Sequence, residues 1–204
     1  MSNSASNLPE SVPVGGNRAW RPADGKIVRG RTEDSSYEER EAILGYLREI
    51  HVFYGETPDG QDYGKLEALL HTRNGLEVFG TNILNPSNGK PTLSSSVTFA
   101  LALLDCAKDE LIQINANRGS KKNRYNTYST YVNVTGIDPI TFAARGRRGE
   151  SGKGDDRPEW TSDYLDTLLG ELKEHPAYAE RQARTSESTD TTFNEDEFDP
   201  FAEE

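Results

Sequence analysis

The order in which two hydrophobic periodicities follow each other is the feature that most restricts the fold of this chain. Val97, Leu101 and Leu104 have the i, i+4, i+7 spacing of an amphipathic helix, which predicts a helix over 92–107. An Asn-Gly pair at 74–75 predicts a tight turn between two strands. Five segments have the alternation or the composition of β-strands: 43–54, 63–72, 76–84, 111–114 and 128–134. The predicted order is three strands, one helix and two strands.

This order predicts a fold class. A five-stranded OB-fold Greek-key barrel with one helix between strands 3 and 4 has the same sequence of elements. Closing the barrel would also remove the exposed edges of a small sheet. We therefore expect a mainly β protein of this kind, with a short C-terminal helix over 160–174 and disordered tails. Residues 37–42 have helical character, which leaves the start of the first strand open by several residues.

Composition divides the chain further. A length of 204 residues allows one modest core. The N-terminus is rich in Ser, Asn, Pro and Gly, and the C-terminus is polar and acidic, so both are expected to be disordered. The predicted units are a disordered leader over 1–17, an OB-fold nucleic-acid-binding domain over 18–145, a linker over 146–159, a helical segment over 160–184 and a disordered acidic tail over 185–204.

Charge and residue usage exclude several classes of site. The chain has 34 acids and 23 bases, but residues 111–149 carry seven bases and one acid, while 185–204 carry eight acids and no base. One cysteine and three scattered histidines offer neither a disulfide nor a zinc cluster, so we expect no metal and no cofactor. No stretch approaches the roughly 20 apolar residues that cross a bilayer, and no signal peptide is evident. A cytoplasmic location without a membrane partner is expected, in the host cytoplasm if the protein is viral.

The basic block contains the main candidate site. Cations that track phosphates, next to rings on which unpaired bases stack, are what sequence-tolerant binding of a single strand requires. Strand parity places Tyr131 on the side opposite Val132 and Val134, and Tyr128 on their side. Tyr131 is therefore the better stacking candidate. The predicted loop 117–125 and the strand after it carry Arg118, Lys121, Lys122, Arg124, Tyr125, Tyr128 and Tyr131.

Further candidates follow from parity and composition. Arg145, Arg147 and Arg148 either extend a phosphate track or belong to the linker, and Trp20 either contacts the ligand or packs against the barrel. A weaker basic-aromatic group near the N-terminus contains Arg18, Trp20, Arg21, Arg29 and Arg31. Parity places Tyr63, Lys65 and Phe79 on the outer face of the second and third strands. The predicted nucleic-acid-binding residues are Arg18, Trp20, Arg21, Tyr63, Lys65, Phe79, Arg118, Lys121, Lys122, Arg124, Tyr125 and Tyr131.

The C-terminal segment carries a second signal. Residues 195–204 combine dense carboxylates with two phenylalanines that have no local core to enter. Such residues are typical of a short anchor for a partner's pocket. The same carboxylates can compete with nucleic acid for the basic loop. The predicted partner-binding residues are Asp196, Glu197, Phe198, Asp199, Pro200 and Phe201.

On these residues the chain resembles the OB-fold single-stranded DNA-binding proteins of bacteriophage and bacterial replication. In that family a barrel is followed by a flexible acidic tail with an aromatic tip, which the Pro200-Phe201 segment is similar to. The resemblance implies coating of single-stranded DNA during replication, recombination and repair. It also implies recruitment of polymerase, helicase or primase through the tail, and no enzymatic step. The C-terminal helix could make a homo-oligomer contact.

Other classes of function are weighed against this one. A phosphate-binding loop is rejected at 149–154 because Gly154 follows Lys153 where Ser or Thr is needed. An OB-like protein-interaction module, or a DNA-mimic inhibitor that uses its acids against a DNA-binding partner, stays open. Charge reversal at Lys121, Lys122 and Arg124 distinguishes it from a DNA-binding protein, since only DNA binding needs these cations. A metal-dependent nuclease is a third alternative and would show Mg²⁺-dependent cleavage.

Overall fold

The computed structural model describes residues 19–30, 37–85, 88–122, 128–137, 142–144 and 158–180. Within these residues the chain is mainly β. The strands are β1 Arg21–Ala23, β2 Lys26–Gly30, β3 Tyr37–Arg40, β4 Ala42–Glu56, β5 Asp62–Thr72, β6 Gly75–Leu84, β7 Leu111–Lys122, β8 Tyr128–Ile137 and β9 Phe142–Ala144. The helices are α1 Leu93–Leu104 and α2 Ser162–Lys173. The predicted leader and acidic tail, and residues 146–157 of the predicted linker, lie outside the described residues.

A six-stranded antiparallel sheet with the order β6-β5-β4-β7-β8-β9 forms the body of the protein. Strand β4 has 15 residues and changes partner along its length. Its first part, from Ala42 to Tyr46, pairs with β7, and the part from Tyr46 to Glu56 pairs with β5. The register shifts between Leu47 and Glu49, and such irregularities bend a strand. β4 therefore belongs to both halves of the sheet.

The expected closed barrel is not observed. Among the described residues, β6 and β8 do not pair, and helix α1 lies against both of them. The Val132 N–H donates to Thr98 Oγ1 of α1 at 3.0 Å, so the helix supplies a partner to the strand at this place. The physical reason for the difference is that the two edges have other partners, because β6 exchanges backbone hydrogen bonds with Trp20 and β8 donates to α1.

The predicted order of elements is confirmed from β4 to β8, with two local corrections. Residues 37–42 were expected to have helical character, but β3 pairs with β2 through Tyr37, Glu38, Glu39 and Arg40. This tertiary pairing overrides the local helix propensity. The predicted loop 117–125 is largely strand, because β7 continues to Lys122 and pairs with the start of β8.

The helices complete the core. Helix α1 is buried on nearly all sides from Ser95 to Leu103, since the sheet covers one side and α2 the other. The predicted apolar face of the second helix is confirmed, because Leu165, Leu168 and Leu172 lie in the same core cluster as α1. Thr161 caps this helix by accepting a hydrogen bond from the Tyr164 N–H at 3.1 Å. The helix therefore belongs to the same hydrophobic core as the sheet.

The second sheet, β1-β2-β3, is attached to the first through Trp20. The Trp20 N–H donates to the Val78 carbonyl and the Gly80 N–H donates to the Trp20 carbonyl, both at 2.8 Å. These bonds cover the exposed edge of β6. The indole is fully buried, lies 4.4 and 4.2 Å from the Arg29 and Arg40 guanidinium carbons, and donates to Glu77 at 3.2 Å. Trp20 packs against the sheet, so its predicted contact with a ligand is wrong in this structure.

Ion pairs beside this indole make the attachment sensitive to acid. Hydrogen bonding from Arg29 holds the pKa of Glu38 below its ordinary value. The ionised carboxylate therefore stabilises the fold above the pKa of the unfolded chain, and this contribution is lost as the pH falls through the folded-state pKa. We expect Glu38→Gln to be less stable than wild type near neutral pH, with a difference in the free energy of unfolding that shrinks towards about pH 3.

Urea unfolding at a series of pH values measures this difference. Glu39→Gln removes the same charge from a neighbouring, half-exposed side chain that pairs with Lys26, and serves as the control. A Glu38→Gln deficit that stays constant with pH would contradict the assignment.

Candidate nucleic-acid interface

The hairpin of β7 and β8 extends past the core as an arm, defined here as residues 117–122 and 128–131. Arg118 pairs with Thr130 and Lys122 with Tyr128, and the register shifts between these two pairs. The side chains of Lys121 and Lys122 are exposed. The arm therefore presents the described part of the predicted basic block on a defined β-hairpin.

Tyr128 lies between the cations of the arm. The Arg118 guanidinium carbon is 4.1 Å from the ring centroid, and the Lys122 Nζ is 5.8 Å from it, both within the range of cation–π contacts. The ring remains 36% exposed. Parity indicated the core side of the strand for Tyr128, but the arm extends past the core, so the ring is available at the surface. Tyr128 is a site residue that the sequence did not single out for stacking.

The turn between β1 and β2 supports the arm at Arg118. Asp24 and Gly25 both have positive φ, 46° and 83°, as a tight hairpin turn requires. A Cβ on Gly25 would lie 3.2 Å from the Arg118 Cβ and backbone nitrogen, so this close approach favours glycine. Asp24 Oδ1 accepts a hydrogen bond from Arg118 Nη1 at 3.1 Å. Both side chains are largely exposed, and an ion pair of this kind contributes little stability.

The outer face of β7 and β8 has no acidic side chain along its described length. Strand register places the outward residues of β7 beside those of β8, because Asn115 pairs with Asn133 and Asn117 with Tyr131. Amide side chains donate and accept hydrogen bonds, so they can pair with the edges of any base. We call the amide positions Gln113, Asn115, Asn117 and Asn133 the polar lane. The outward positions are Leu111, Gln113, Asn115, Asn117, Tyr131, Asn133 and Thr135.

Tyr131 lies on this outer face, as strand parity predicted. Its ring is half-buried and is 6.3 Å from the Trp160 ring, with an interplanar angle of 60°. Trp160 precedes α2, so the C-terminal segment reaches the end of the polar lane next to the arm. The two rings form an aromatic pair there.

A groove lies at the opposite end of the polar lane. Tyr46 pairs with Leu111 on one side and with His71 on the other, so three strands meet at this place. The Tyr46 side chain is 47% exposed, and the groove has a volume of about 500 Å³ with Arg40 and Arg73 in its lining. Sequence reasoning missed it, although Leu44 and Tyr46 alternate with the buried Ile43 and Leu47 and could have indicated an outward ring.

Two predicted residues lie on the outer face but far from the arm. Tyr63 pairs with Gly55 and Lys65 with Phe53, near the end of β4. The arm lies beyond Ala42 at the other end of this strand, which at about 3.3 Å per residue is roughly 35–45 Å along its path. The Tyr63 ring packs edge-on against Phe53, with centroids 6.4 Å apart. The structure does not bring this pair to the arm.

The remaining predicted residues divide into three groups. Phe79 was expected on the outer face but is fully buried, pairs with Ala68 and lies 5.1 Å from the Phe99 ring centroid. Parity correctly placed it opposite Val78, but its side of β6 faces the core. Arg21 is exposed, 5.7 Å from the exposed ring of Tyr37. Outside the described residues lie Arg18, Arg31, Arg124, Tyr125, Arg145, Arg147, Arg148 and the tail residues Asp196, Glu197, Phe198, Asp199, Pro200 and Phe201.

Comparison with protein families, curated proteins and solved structures gives no match for this chain. In the part of the chain that the structure describes, no helix is long and apolar enough to span a membrane. The same residues contain no group of three or more His, Cys, Asp or Glu side chains placed to hold a metal ion.

Proposed function

We propose that the protein binds single-stranded DNA without strong sequence preference, through the arm and the polar lane. The observation that supports this most is the exposed cluster of Arg118, Lys122 and Tyr128 on a hairpin whose two strands contain no acidic residue, in a chain of net charge −11. A polyanion is repelled by most of such a surface, so a favourable site must separate its phosphates from the acids. Strands β7 and β8 contain no acidic residue, and the Asp24 carboxylate that contacts the arm is paired with Arg118.

The chemistry of the site favours unpaired bases over a duplex. Tyr128 and Tyr131 offer rings that contact only bases free of their own stack, and stacking contributes about 1–3 kcal/mol per base. Arg118, Lys121 and Lys122 neutralise phosphates without reading sequence. The amides of the polar lane pair with any base edge, which fits binding that tolerates all sequences.

The pairing of the strands supports an OB-type assignment within this proposal. Numbered from β4, the sheet order is third, second, first, fourth, fifth, and the first strand is shared by the two halves. This is the order of an OB barrel opened between its third and fifth strands, with the helix at the opening. OB-folds bind oligonucleotides on the face of their second and third strands, which correspond to β5 and β6 here, and with the loop between the fourth and fifth strands, where the arm lies here.

The biological role that we propose is coating and protection of single strands during replication, recombination and repair, in the cytoplasm. The acidic segment 185–204 would recruit polymerase, helicase or primase through its two phenylalanines, and residues 196–201 are its predicted contact. The proposal includes no enzymatic step and no cofactor. A protein-interaction or DNA-mimic module is the alternative that the experiment below distinguishes.

Binding to labelled oligo-dT, compared with a duplex of the same length, tests the proposal. We expect binding to the single strand at about 50 mM salt, with log K falling against log[salt] by about 0.7 per phosphate contact. Removing residues 185–204 is expected to strengthen binding, because a competing polyanion is lost. Absence of binding at about 50 mM salt in both the full and the shortened chain would exclude the function and favour the alternative.

A further inference from the structure

We propose that the groove at Tyr46 receives the chain's own acidic segment 195–201 as an added β-strand. The described part of the chain ends at Glu180, so this segment lies outside the described residues. In the docked arrangement the segment pairs with the edge of β4 at Leu44, and one of its phenylalanines lies against Tyr46. Docking covers the side chains that the proposed recruitment of partners uses, but it does not depend on DNA binding.

The backbone of β4 has an open edge in the groove. Leu47 exchanges backbone hydrogen bonds with Asp109 and Glu110 on the β7 side, at 2.7 and 2.9 Å. Successive residues of a strand direct their N–H and C=O groups to alternate sides, so Leu44 directs both of its groups away from β7. On that side the pairing with β5 ends at Tyr46, and no described residue continues it. Leu44 therefore offers a backbone donor and acceptor to an added strand.

The edge stays open because the end of β5 packs against Gly45. A Cβ at Gly45 would lie 3.0 Å from both the His71 carbonyl oxygen and Thr72 Cγ2. Thr72 then pairs with Gly75 and closes the hairpin, so β5 does not extend beside Leu44. The groove left there has a volume of about 500 Å³, which lies within the range of protein ligand pockets.

The side chains beside the open edge fit an aromatic residue. Tyr46, Leu44 and Leu111 are outward neighbours in register, so a ring lies beside two aliphatic side chains. Leu44 and Tyr46 are 49% and 47% exposed, in a protein whose large apolar side chains are mostly buried among the described residues. A phenylalanine placed here covers these side chains and makes an aromatic pair with Tyr46.

The unpaired charge of the groove is positive. Arg73 is exposed at the rim, and no ion pair joins it to another described residue. Glu77 is the acid of the lining, but it is buried and pairs with Arg40 at 3.1 Å. The first acid after Tyr46 in β4, Glu49, is outside the lining and faces His51 Nε2 at 3.1 Å. The rim therefore favours a segment that carries carboxylates.

The segment 195–201 has the chemistry that this groove selects. It contains four carboxylates, two phenylalanines and no basic residue. In strand addition the main-chain hydrogen bonds give affinity and the pockets for side chains give specificity, so the open edge selects a peptide. A second groove of about 290 Å³, beside Tyr54, has Asp166 in its lining and would repel the same carboxylates.

The length of chain that follows the core allows this contact. The Ile50 N–H donates to the Ala177 carbonyl at 2.8 Å and the Ala179 N–H donates to the Ile50 carbonyl at 3.0 Å, so the chain leaves the core beside Ile50. Ile50 and Leu44 are six residues apart in β4, which is about 20 Å of strand. Residues 181–194, as a flexible chain, have a root-mean-square length of about 20 Å. Matching lengths give the segment its highest effective concentration at the groove.

Hydrogen exchange of single amides in the full chain, followed by NMR, tests the pairing. We expect the Leu44 N–H to be protected in wild type and to lose this protection in Phe198→Ala/Phe201→Ala, which keeps the charge and length of the segment. The Gly45 N–H points to β7 by the same alternation, so its exchange should be equal in the two proteins. Both substitutions lie outside the core, so they leave the fold intact.

Substitutions in the groove test its side-chain contacts. Tyr46→Ala should raise the exchange rate of the Leu44 amide about tenfold, because one aromatic anchor is lost. Tyr46→Phe keeps the ring and should behave as wild type does. Tyr54→Ala removes another exposed tyrosine from the same strand, outside the groove, and should leave the Leu44 rate unchanged. Thermal unfolding of each variant checks its fold.

A nitroxide on Glu204→Cys locates the segment in the same chain. Cys106 is buried, so the added thiol is labelled selectively. The amide signals of Leu44, Tyr46 and Arg73 should lose intensity, and they should recover when Phe198→Ala/Phe201→Ala is added. Mixing the labelled chain with an isotope-labelled chain that has no nitroxide should cause no loss, because the contact lies within one molecule.

Three results would overturn the inference. The first is equal exchange of the Leu44 amide in wild type and Phe198→Ala/Phe201→Ala. The second is a loss of intensity confined to the arm, which would place the segment at the basic cluster. The third is a loss in the mixed sample, which would assign the groove to a second copy. None of these measurements contains oligo-dT, so the failure of docking and the failure of the proposed function are separate results.

Discussion

The double substitution Lys121→Gln/Lys122→Gln is expected to weaken binding to oligo-dT about 25-fold at 0.1 M salt. Both side chains are exposed on the arm, and neither has a described carboxylate partner. For a single strand, each lost phosphate contact lowers the binding constant by a factor of about the salt concentration raised to the power 0.7. At 0.1 M salt this is a loss of about fivefold per contact. The magnitude of the salt slope should fall by about 1.4. Fluorescence anisotropy over a series of salt concentrations measures both quantities.

A control with the same change of net charge distinguishes the loss of a localised phosphate site from a general effect of net charge on binding. Lys90 and Lys173 are exposed lysines away from β7 and β8, and Lys90→Gln/Lys173→Gln makes the chain more acidic by the same amount. This control should lose much less affinity and keep the wild-type slope. Equal losses in the two double variants would contradict a localised phosphate site. An unchanged affinity in the arm variant would favour the protein-interaction or DNA-mimic alternative.

The substitution Trp20→Ala is expected to destabilise the fold by about 3–5 kcal/mol, the usual cost of removing a buried large aromatic side chain. The indole is fully buried, and its ring lies between the guanidinium groups of Arg29 and Arg40 and the core. Its removal also takes one hydrogen-bond donor from Glu77 and leaves a cavity beside an ionic cluster. Chemical denaturation gives the free energy of unfolding. If the sheet β1-β2-β3 is no longer held against the six-stranded sheet, the midpoint of the unfolding transition should fall.

Two comparisons make this result specific. Trp20→Phe keeps most of the apolar volume but not the N–H that Glu77 accepts, so it should lose less stability than Trp20→Ala. Trp160→Ala removes the chain's other tryptophan, which is half-buried, and should cost less than Trp20→Ala. A Trp20→Ala variant of wild-type stability that no longer binds oligo-dT would contradict a packing role and restore the ligand contact.

The order of elements from β4 to β8, and helix α2, follow from the sequence because each of these elements has a long hydrophobic period of its own, whereas the three-residue strand β9 was not predicted. The second sheet does not, since β1, β2 and β3 have three to five residues each and are rich in charge. They form because Trp20 and Ile27 are fully buried in the core, and these contacts join residues that are far apart in sequence. Local propensity therefore misread 37–42 as helical.

The site was predictable where its residues are close in sequence. Arg118, Lys121 and Lys122 lie within five positions of one another, so their proximity needs no fold. Parity correctly separated Phe79 from Val78, but both side chains are buried, at 0% and 6% exposure, and parity alone does not say which faces the core. The groove at Tyr46 depends on the register of three strands, and no local pattern contains that register.

The ion pair between Asp24 and Arg118 has a consequence for how a ligand arrives. The carboxylate holds the guanidinium over the Tyr128 ring before any phosphate is present, so little rotamer freedom remains to be lost on binding. Because this pair is open to water and contributes at most about 1 kcal/mol, an incoming phosphate exchanges for Asp24 at small cost. The Asp24 carboxylate therefore keeps the Arg118 guanidinium in a position to bind an anion until a phosphate takes its place.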